Sequence, residues 1–333
     1  MRFLMVFSGA ALGLLACTAN ETPTGPSDST SPAFASVKTY TAVNLGTLGG
    51  SFSEASGINP AGQVVGFSLT ADGLGHAFLW AKGVMTDLGT LEGVGLSGAQ
   101  GINPAGQVVG WSGTTDPRTD GCCHAFLWER GVMTYLGTLG GTTSQANAIN
   151  PKGQVVGYST TTGDVSSHAF LWEKGVMTDL GTLPGGTFSI ATAINPAGQV
   201  VGYGDVAGAS HAFLWENGIM TDLGPGGTVG IAYGINPQGQ VVGGNVLWER
   251  DAITDLGAIE AHGINPAGQV VGYNFSQSVQ DRRALLWSKG VLTDLGTLGG
   301  TEGRAFAINP AGDVVGRSQT VAGEIRATLW TRN

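Results

Sequence analysis

One unit is written seven times along this chain, and that repetition constrains the fold more than any single residue does. The unit reads, with small variations, Ala-x-Gly/Ala-Ile-Asn-Pro-x-Gly-Gln-Val-Val-Gly, then a variable stretch, then Leu-Trp, then a segment such as Val84-Met85-Thr86-Asp87-Leu88-Gly89. Its asparagines are Asn59, Asn103, Asn150, Asn195, Asn236, Asn265 and Asn309, so successive copies lie 44, 47, 45, 41, 29 and 44 residues apart. A tryptophan closes each third segment, at Trp80, Trp128, Trp172, Trp215, Trp248, Trp287 and Trp330. Strand-like segments repeating at roughly 40–45 residues are the mark of propeller blades.

Each copy divides into four strands. Asn59-Pro60-Ala61-Gly62 has Asn, Pro and Gly where a type I turn wants them, joining strand a (residues 54–58) to strand b (63–68). Strand c covers 76–80, and the turn Ala81-Lys82-Gly83 leads into strand d at 84–88. Adjacent residues of Ala77-Phe78-Leu79-Trp80 point to opposite faces yet are all apolar, as a sheet packed between two other sheets requires. Each Leu-Trp tryptophan is expected to fill the space between blades. Residues 41–48 match strand d although they precede the first strand a, and the last copy lacks a strand d of its own. The expectation is an all-β, seven-bladed propeller over residues 40–333, closed by the N-terminal strand pairing beside residues 326–330.

Four copies carry His76-Ala77-Phe78, His124-Ala125-Phe126, His168-Ala169-Phe170 and His211-Ala212-Phe213, each before Leu-Trp. Together with the turn and the Val-Val-Gly segment, they resemble the HAF repeats of bacterial extracellular proteins over about residues 41–330. The resemblance implies export and a repeat array, and it supplies no catalytic residues. The histidines lie too far out for a shared metal, so each is expected to hydrogen-bond a neighbouring loop. Asp87 and its equivalents are expected to order turns.

Residues 1–16 carry one positive charge and a short apolar run, as an export signal does. Leu14-Leu15-Ala16-Cys17 resembles the lipobox of bacterial lipoproteins, which implies cleavage before Cys17 and its lipidation. Residues 17–39 then form a flexible tether. The expected location is the bacterial envelope, at the outer membrane or cell surface, with the membrane contacted through lipid alone. A formal charge of −9 argues against nucleic acid as a partner. No cofactor or metal is expected, and the domain is expected to be monomeric.

Function is sought where the copies differ. Turns a–b and c–d are uniform and form a base, whereas the b–c and d–a connections vary and form a crown. Blade five has almost no b–c loop and is followed by a short d–a connection, which places a notch over blades five and six. Inside strand a one place also varies, reading Ser56, Gln100, Asn147, Thr192, Tyr233, His262 and Phe306 around the ring. With Arg304, these are the candidate ligand-binding residues, and the expected partner is a protein or a glycan. Glu260, Glu302 and Glu54 gather on one side of that mouth, so a glycoside hydrolase or lyase is the alternative reading. A purely structural envelope protein is a third. Cys122 and Cys123 are the thiols left after lipidation of Cys17, and a vicinal disulfide between them is expected to be strained.

Overall fold

The computed structural model describes residues 40–333 apart from 93–94, 114–122, 225–229, 250–251 and 276–280. The export signal, Cys17, the tether and Cys122 lie outside the described residues. Cys123 is disulfide-bonded.

Seven four-stranded antiparallel sheets follow one another, six of them uninterrupted meanders and the seventh completed by the first strand of the chain's propeller. Blade one comprises Gly49–Ile58, Val64–Thr70, Gly75–Ala81 and Val84–Asp87 as strands a to d. Strand a starts earlier than the sequence suggested, because Leu48 bridges to Thr70 and carries the preceding Gly-Thr-Leu segment straight into the sheet. Blade seven closes as expected. Tyr40–Asn44 pairs antiparallel with Ile325–Arg332, Ala42 lying opposite Trp330, and so supplies the missing strand d. Blade five is reduced to strands Gly234–Ile235, Val241–Gly243, Val246–Glu249 and Ala252–Asp255.

The core consists of seven apolar clusters, and each joins two successive blades. Between blades one and two, for example, Val65 and Ala77 meet Ala99, Val108 and Phe126. Phe78, Phe126, Phe170 and Phe213 are wholly buried. The glycine of Val-Val-Gly makes room for them: a Cβ at Gly66 would lie 2.0 Å from the Glu54 carbonyl oxygen and 2.9 Å from the Phe78 ring. The tryptophans pack between blades as expected, but most of them incompletely. Only Trp330 and Trp248 are buried, whereas Trp80, Trp128, Trp172, Trp215 and Trp287 stay partly exposed. Trp172 pairs with Val155, the first residue of strand b, so it stands at the base rim while Phe170 sits one step deeper. Tyr40 and Ala42 of the closing strand pack against the cluster that contains Trp330.

Two sets of side chains bolt blade to blade. At the base, Asn59 Oδ1 accepts the N–H groups of Ala61 and Gln63, both at 3.0 Å, which shapes the turn. Its Nδ2 donates to Gln63 Oε1 at 2.8 Å and to the Asn103 carbonyl of the next blade at 3.2 Å. The same link runs from Asn103 to Asn150, then Asn195, Asn236, Asn265 and Asn309, at 3.1–3.3 Å. All seven asparagines are 1% exposed, so every polar atom has to be satisfied internally. Toward the crown, Ser53, Ser97, Ser144 and Ser189 accept the N–H of Ala327, Ala77, Ala125 and Ala169 in the preceding blade at 2.8–3.0 Å. Blades five to seven have Gly230, Ile259 and Gly303 at that place.

The HAF histidines bond within their own blade, not to a neighbouring loop. His76, His168 and His211 each place Nδ1 2.8 Å from Asp87, Asp179 and Asp222 of strand d. The other carboxylate oxygen of Asp87 accepts the Gly89 N–H at 2.8 Å, so the turn-ordering role expected of it also holds. Strands c and d run antiparallel with Phe78 opposite Asp87, which brings the two side chains together. Blade two keeps the histidine but has Tyr135 in place of the aspartate, and His124 stacks on it; in blades five and six the histidine is replaced while the aspartate stays, so Asn245 bonds Asp255 and Arg283 pairs with Asp294.

Two stability predictions follow from this packing. Phe170→Ala should cost about 3–5 kcal/mol and Trp172→Ala roughly half of that, read from urea denaturation midpoints. Equal losses would mean that the two rings are equally buried. Removing residues 40–48 should lower the melting temperature far more than removing 18–37, because only the first cut bares Trp330 and the edge of strand 325–332. Equal melting temperatures would contradict the closure.

Candidate functional site

Strand a carries a β-bulge at the same place around the ring. Pairing steps from Ala55 to Gly57, and likewise across Gln100, Asn147, Thr192, His262 and Phe306, so the residue between has no ladder partner. In blade five the Tyr233 N–H donates to the Val242 carbonyl at 2.8 Å while Gly234 also pairs with Val242, which gives the same geometry. A bulged residue is released from the alternation that binds its neighbours to one blade face or the other. The column that varies among the repeats is thus a column the sheet does not need.

The structure divides this ring into two arcs. In blades three and four the bulged side chain serves the neighbouring blade: Asn147 Nδ2 donates to the Ala191 carbonyl at 2.7 Å and Thr192 Oγ1 to the Ala232 carbonyl at 2.7 Å. Ser56 and Gln100, in blades one and two, are part-buried. In blades five to seven the bulged residues are aromatic and touch one another. His262 stacks on Tyr233 with ring centres 4.4 Å apart, and its edge meets Phe306 at 5.6 Å. A fourth ring, Tyr273 from strand b of blade six, stacks on His262 at 5.0 Å. The guanidinium groups of Arg282 and Arg304 lie 5.2 and 5.4 Å from the centre of that tyrosine ring.

Charged groups flank the rings. Glu302 is buried and accepts from Arg304 Nε at 2.8 Å and from Arg317 at 3.2 Å, and Arg317 also holds Glu54 at 2.7 Å. Glu260 stands 3.8 Å from His262 Nε2, too far for a hydrogen bond, and Nε2 is buried without a hydrogen-bond partner. His262 draws the Glu260 carboxyl below its ordinary range, burial opposes this, and Tyr273 and Arg282 add to the lowering. Burial pushes the Tyr233 hydroxyl up to about 12, aided by the Glu260 charge, and raises Tyr273 as well. Burial and the neighbouring Arg317 press Arg304 below its usual value, although a guanidinium remains charged.

Of the three carboxylates in the enzymatic alternative, Glu54 and Glu302 share one arginine and Glu260 stands apart beyond Tyr273. A glycosidic general acid needs a raised pKa, and Glu260 is moved the other way. Tyr273, Arg282 and Arg317 escaped the sequence reading. The signal that would have found two of them is the residue after Val-Val-Gly, which varies as Phe67, Trp111, Tyr158, Tyr203, Gly244, Tyr273 and Arg317. The expected shortening beside the site is present: Gly244 and Asn245 alone join strands b and c of blade five, and the Gly244 carbonyl accepts the Ala261 N–H at 2.6 Å. A shallow groove of about 440 Å³ beside Gly49, Thr70, Gly73 and Glu324 lies at the seam of blades seven and one, away from these rings.

These features define a β-propeller with an aromatic and charged cluster on the inner strands of blades five to seven. No protein-family model matches the chain, and no characterised protein matches it in sequence. Its fold is similar to that of YCF48 bound to D1 peptide, at a TM-score of 0.54 and 10% identity over 90% of this chain and 96% of that one. It is also similar to the β-propeller domain of the Trilobed protease from Pyrococcus furiosus, at a TM-score of 0.52 and 9% identity over 84% and 95%. The chain spans about half of TolB from Acinetobacter baumannii (83% of this chain, 53% of that one; TM-score 0.43, 13% identity).

The cluster predicts a pH dependence. A carboxyl whose folded pKa is depressed stabilises the fold above its unfolded pKa of about 4.3, and that contribution is lost as pH falls through the folded value. Glu260→Gln should therefore melt below the parent at pH 7, and the gap should close below about pH 4. A gap that is constant from pH 7 to 3 would show that Glu260 titrates normally.

Proposed function

We propose that this chain is an exported, lipid-anchored propeller that binds a protein or glycan ligand, without catalysis, at the crown-side channel mouth of blades five to seven. The observation that carries the reading is the Tyr233–His262–Tyr273–Phe306 cluster, built largely on bulged residues that the sheet does not need and flanked by guanidinium–carboxylate pairs. Aromatic and arginine side chains held in place by their neighbours are the usual anchors of a binding surface. Fixing them in advance reduces the ordering cost of association. The lipobox-like Leu14–Cys17 segment and the polar stretch after it support an anchor that holds the domain off the envelope surface. A charge of −9 favours partners other than nucleic acid.

Full-length protein in detergent should bind members of a glycan array or of an envelope-protein array. His262→Ala and Tyr233→Ala should weaken that binding at least about tenfold, while Lys82→Ala in an exposed c–d turn leaves it unchanged. Binding indifferent to both aromatic variants would place the site elsewhere. No binding on either array would favour the structural envelope reading. Cys17→Ser should move the protein from the membrane fraction to the soluble one, and unchanged fractionation would refute the anchor.

A further inference from the structure

Aromatic residues recur around the ring beyond the four-ring cluster. Phe67, Trp111, Tyr158, Tyr203 and Tyr273 occupy one equivalent place in strand b, directly after Val-Val-Gly and toward the crown. Blade five has Gly244 there, and its ring comes from the strand a bulge as Tyr233. Each of blades one to six thus presents an aromatic side chain, and blade seven presents Arg317. None of these six rings belongs to any of the seven apolar clusters that hold the blades together. All but Tyr273 remain partly exposed. They therefore lie outside the clusters that hold blade to blade.

Their surroundings are mixed: Phe67 packs on Phe52 and Tyr203 on Phe188, each with ring centres 6.1 Å apart, and the other neighbours are largely polar. Across the ladder, Phe67 faces Glu54, Tyr158 faces Gln145 and Tyr273 faces Glu260. The Tyr158 hydroxyl donates to Gln145 Oε1 at 3.3 Å, and Gln145 Nε2 donates to Asn147 Oδ1 at 3.0 Å. Trp111 lies flat on Gly98, where a Cβ would come within 2.8 Å of its indole, so this blade exchanges a side chain for a ring platform. The charged members balance: Arg282, Arg304 and Arg317 stand against Glu54, Glu260 and Glu302. Aromatic faces alternating with planar amides, carboxylates and guanidinium groups suit a sugar ring, whose C–H face stacks while its hydroxyls donate and accept. A set without net charge suits a neutral sugar.

We propose that the crown side of the channel is a curved track for a neutral, linear glycan chain, one ring-stacking place per blade from blade one to blade six, ending on the Arg317–Glu302–Arg304 chain. This rests on the reading of the channel mouth as a binding site and names its ligand class. A single-sugar pocket would need only the cluster of blades five to seven. Rings carried on through blades four, three, two and one are explained by a polymer.

The test titrates the full-length protein calorimetrically with linear oligosaccharides of two, four and six rings, built from glucose, N-acetylglucosamine, mannose or xylose. At least one series should bind, with affinity rising about tenfold or more from two rings to six. Trp111→Ala and Tyr203→Ala should each weaken six-ring binding about 3- to 10-fold and leave two-ring binding unchanged, whereas Trp111→Phe keeps the ring face and most of the affinity. His262→Ala should weaken every length. Equal affinity for two and six rings, or loss in His262→Ala with none in Trp111→Ala and Tyr203→Ala, would overturn the track and leave a compact site standing. Failure of all four series would overturn the glycan assignment. A protein ligand released by His262→Ala would then keep the broader reading alive, and insensitivity to every variant would end both.

Discussion

In six of the seven blades the amide of one asparagine fixes both the shape of a turn and the distance to the next sheet. Its oxygen holds the a–b turn and its nitrogen reaches the backbone of the following copy, as Asn59 does with Ala61, Gln63 and Asn103. A buried amide with an unmet donor would cost about 1–3 kcal/mol, so neighbouring blades cannot slide without breaking the link. Because every turn is pinned at the same depth, every strand a enters its sheet in the same register. The bulge then falls at one height around the channel.

That common height turns a local irregularity into a site. Three of the four rings in the cluster are bulged residues of consecutive blades, and they touch because their strands are held level. The serine links between blades stop where this cluster begins, at Gly230, Ile259 and Gly303. From blade five to blade seven the blades are joined there by stacked rings and by Arg304 over Tyr273, while the Arg317–Glu54 pair adds to the serine link between blades seven and one. The chain has thus replaced generic fastening with chemistry that can face a ligand, next to the blade whose strands are shortest.

Much of the fold was legible in the sequence because its causes are local and repeated. Turn residues, paired valines and the strand-like run before Tyr40's sheet partner each declare themselves within a few positions, and seven copies remove ambiguity. What stayed hidden acts between copies. The amide of Asn59 bonds a backbone carbonyl 44 residues away, and backbone leaves no mark in a sequence. The tryptophans looked like the core because they are large and invariant, yet register puts Phe170 inside and Trp172 at the rim. The bulged column was visible as variation, and Tyr233, His262 and Phe306 do converge. Tyr273 and Arg317 were not, because a residue after Val-Val-Gly reads as ordinary strand until its copies are compared.

Ring closure also sets an order of events. Tyr40–Asn44 is the first strand of the propeller to leave the ribosome or a translocation pore, and its partner Ile325–Arg332 is the last. The first strand has no sheet to join until the seventh blade exists, so it must travel unpaired through the assembly of the other six. Local hairpins can form as each copy emerges, but the final seam joins residues nearly three hundred positions apart and carries the entropic cost of that loop. One short, partly apolar segment therefore waits unpaired for the whole length of the propeller's synthesis.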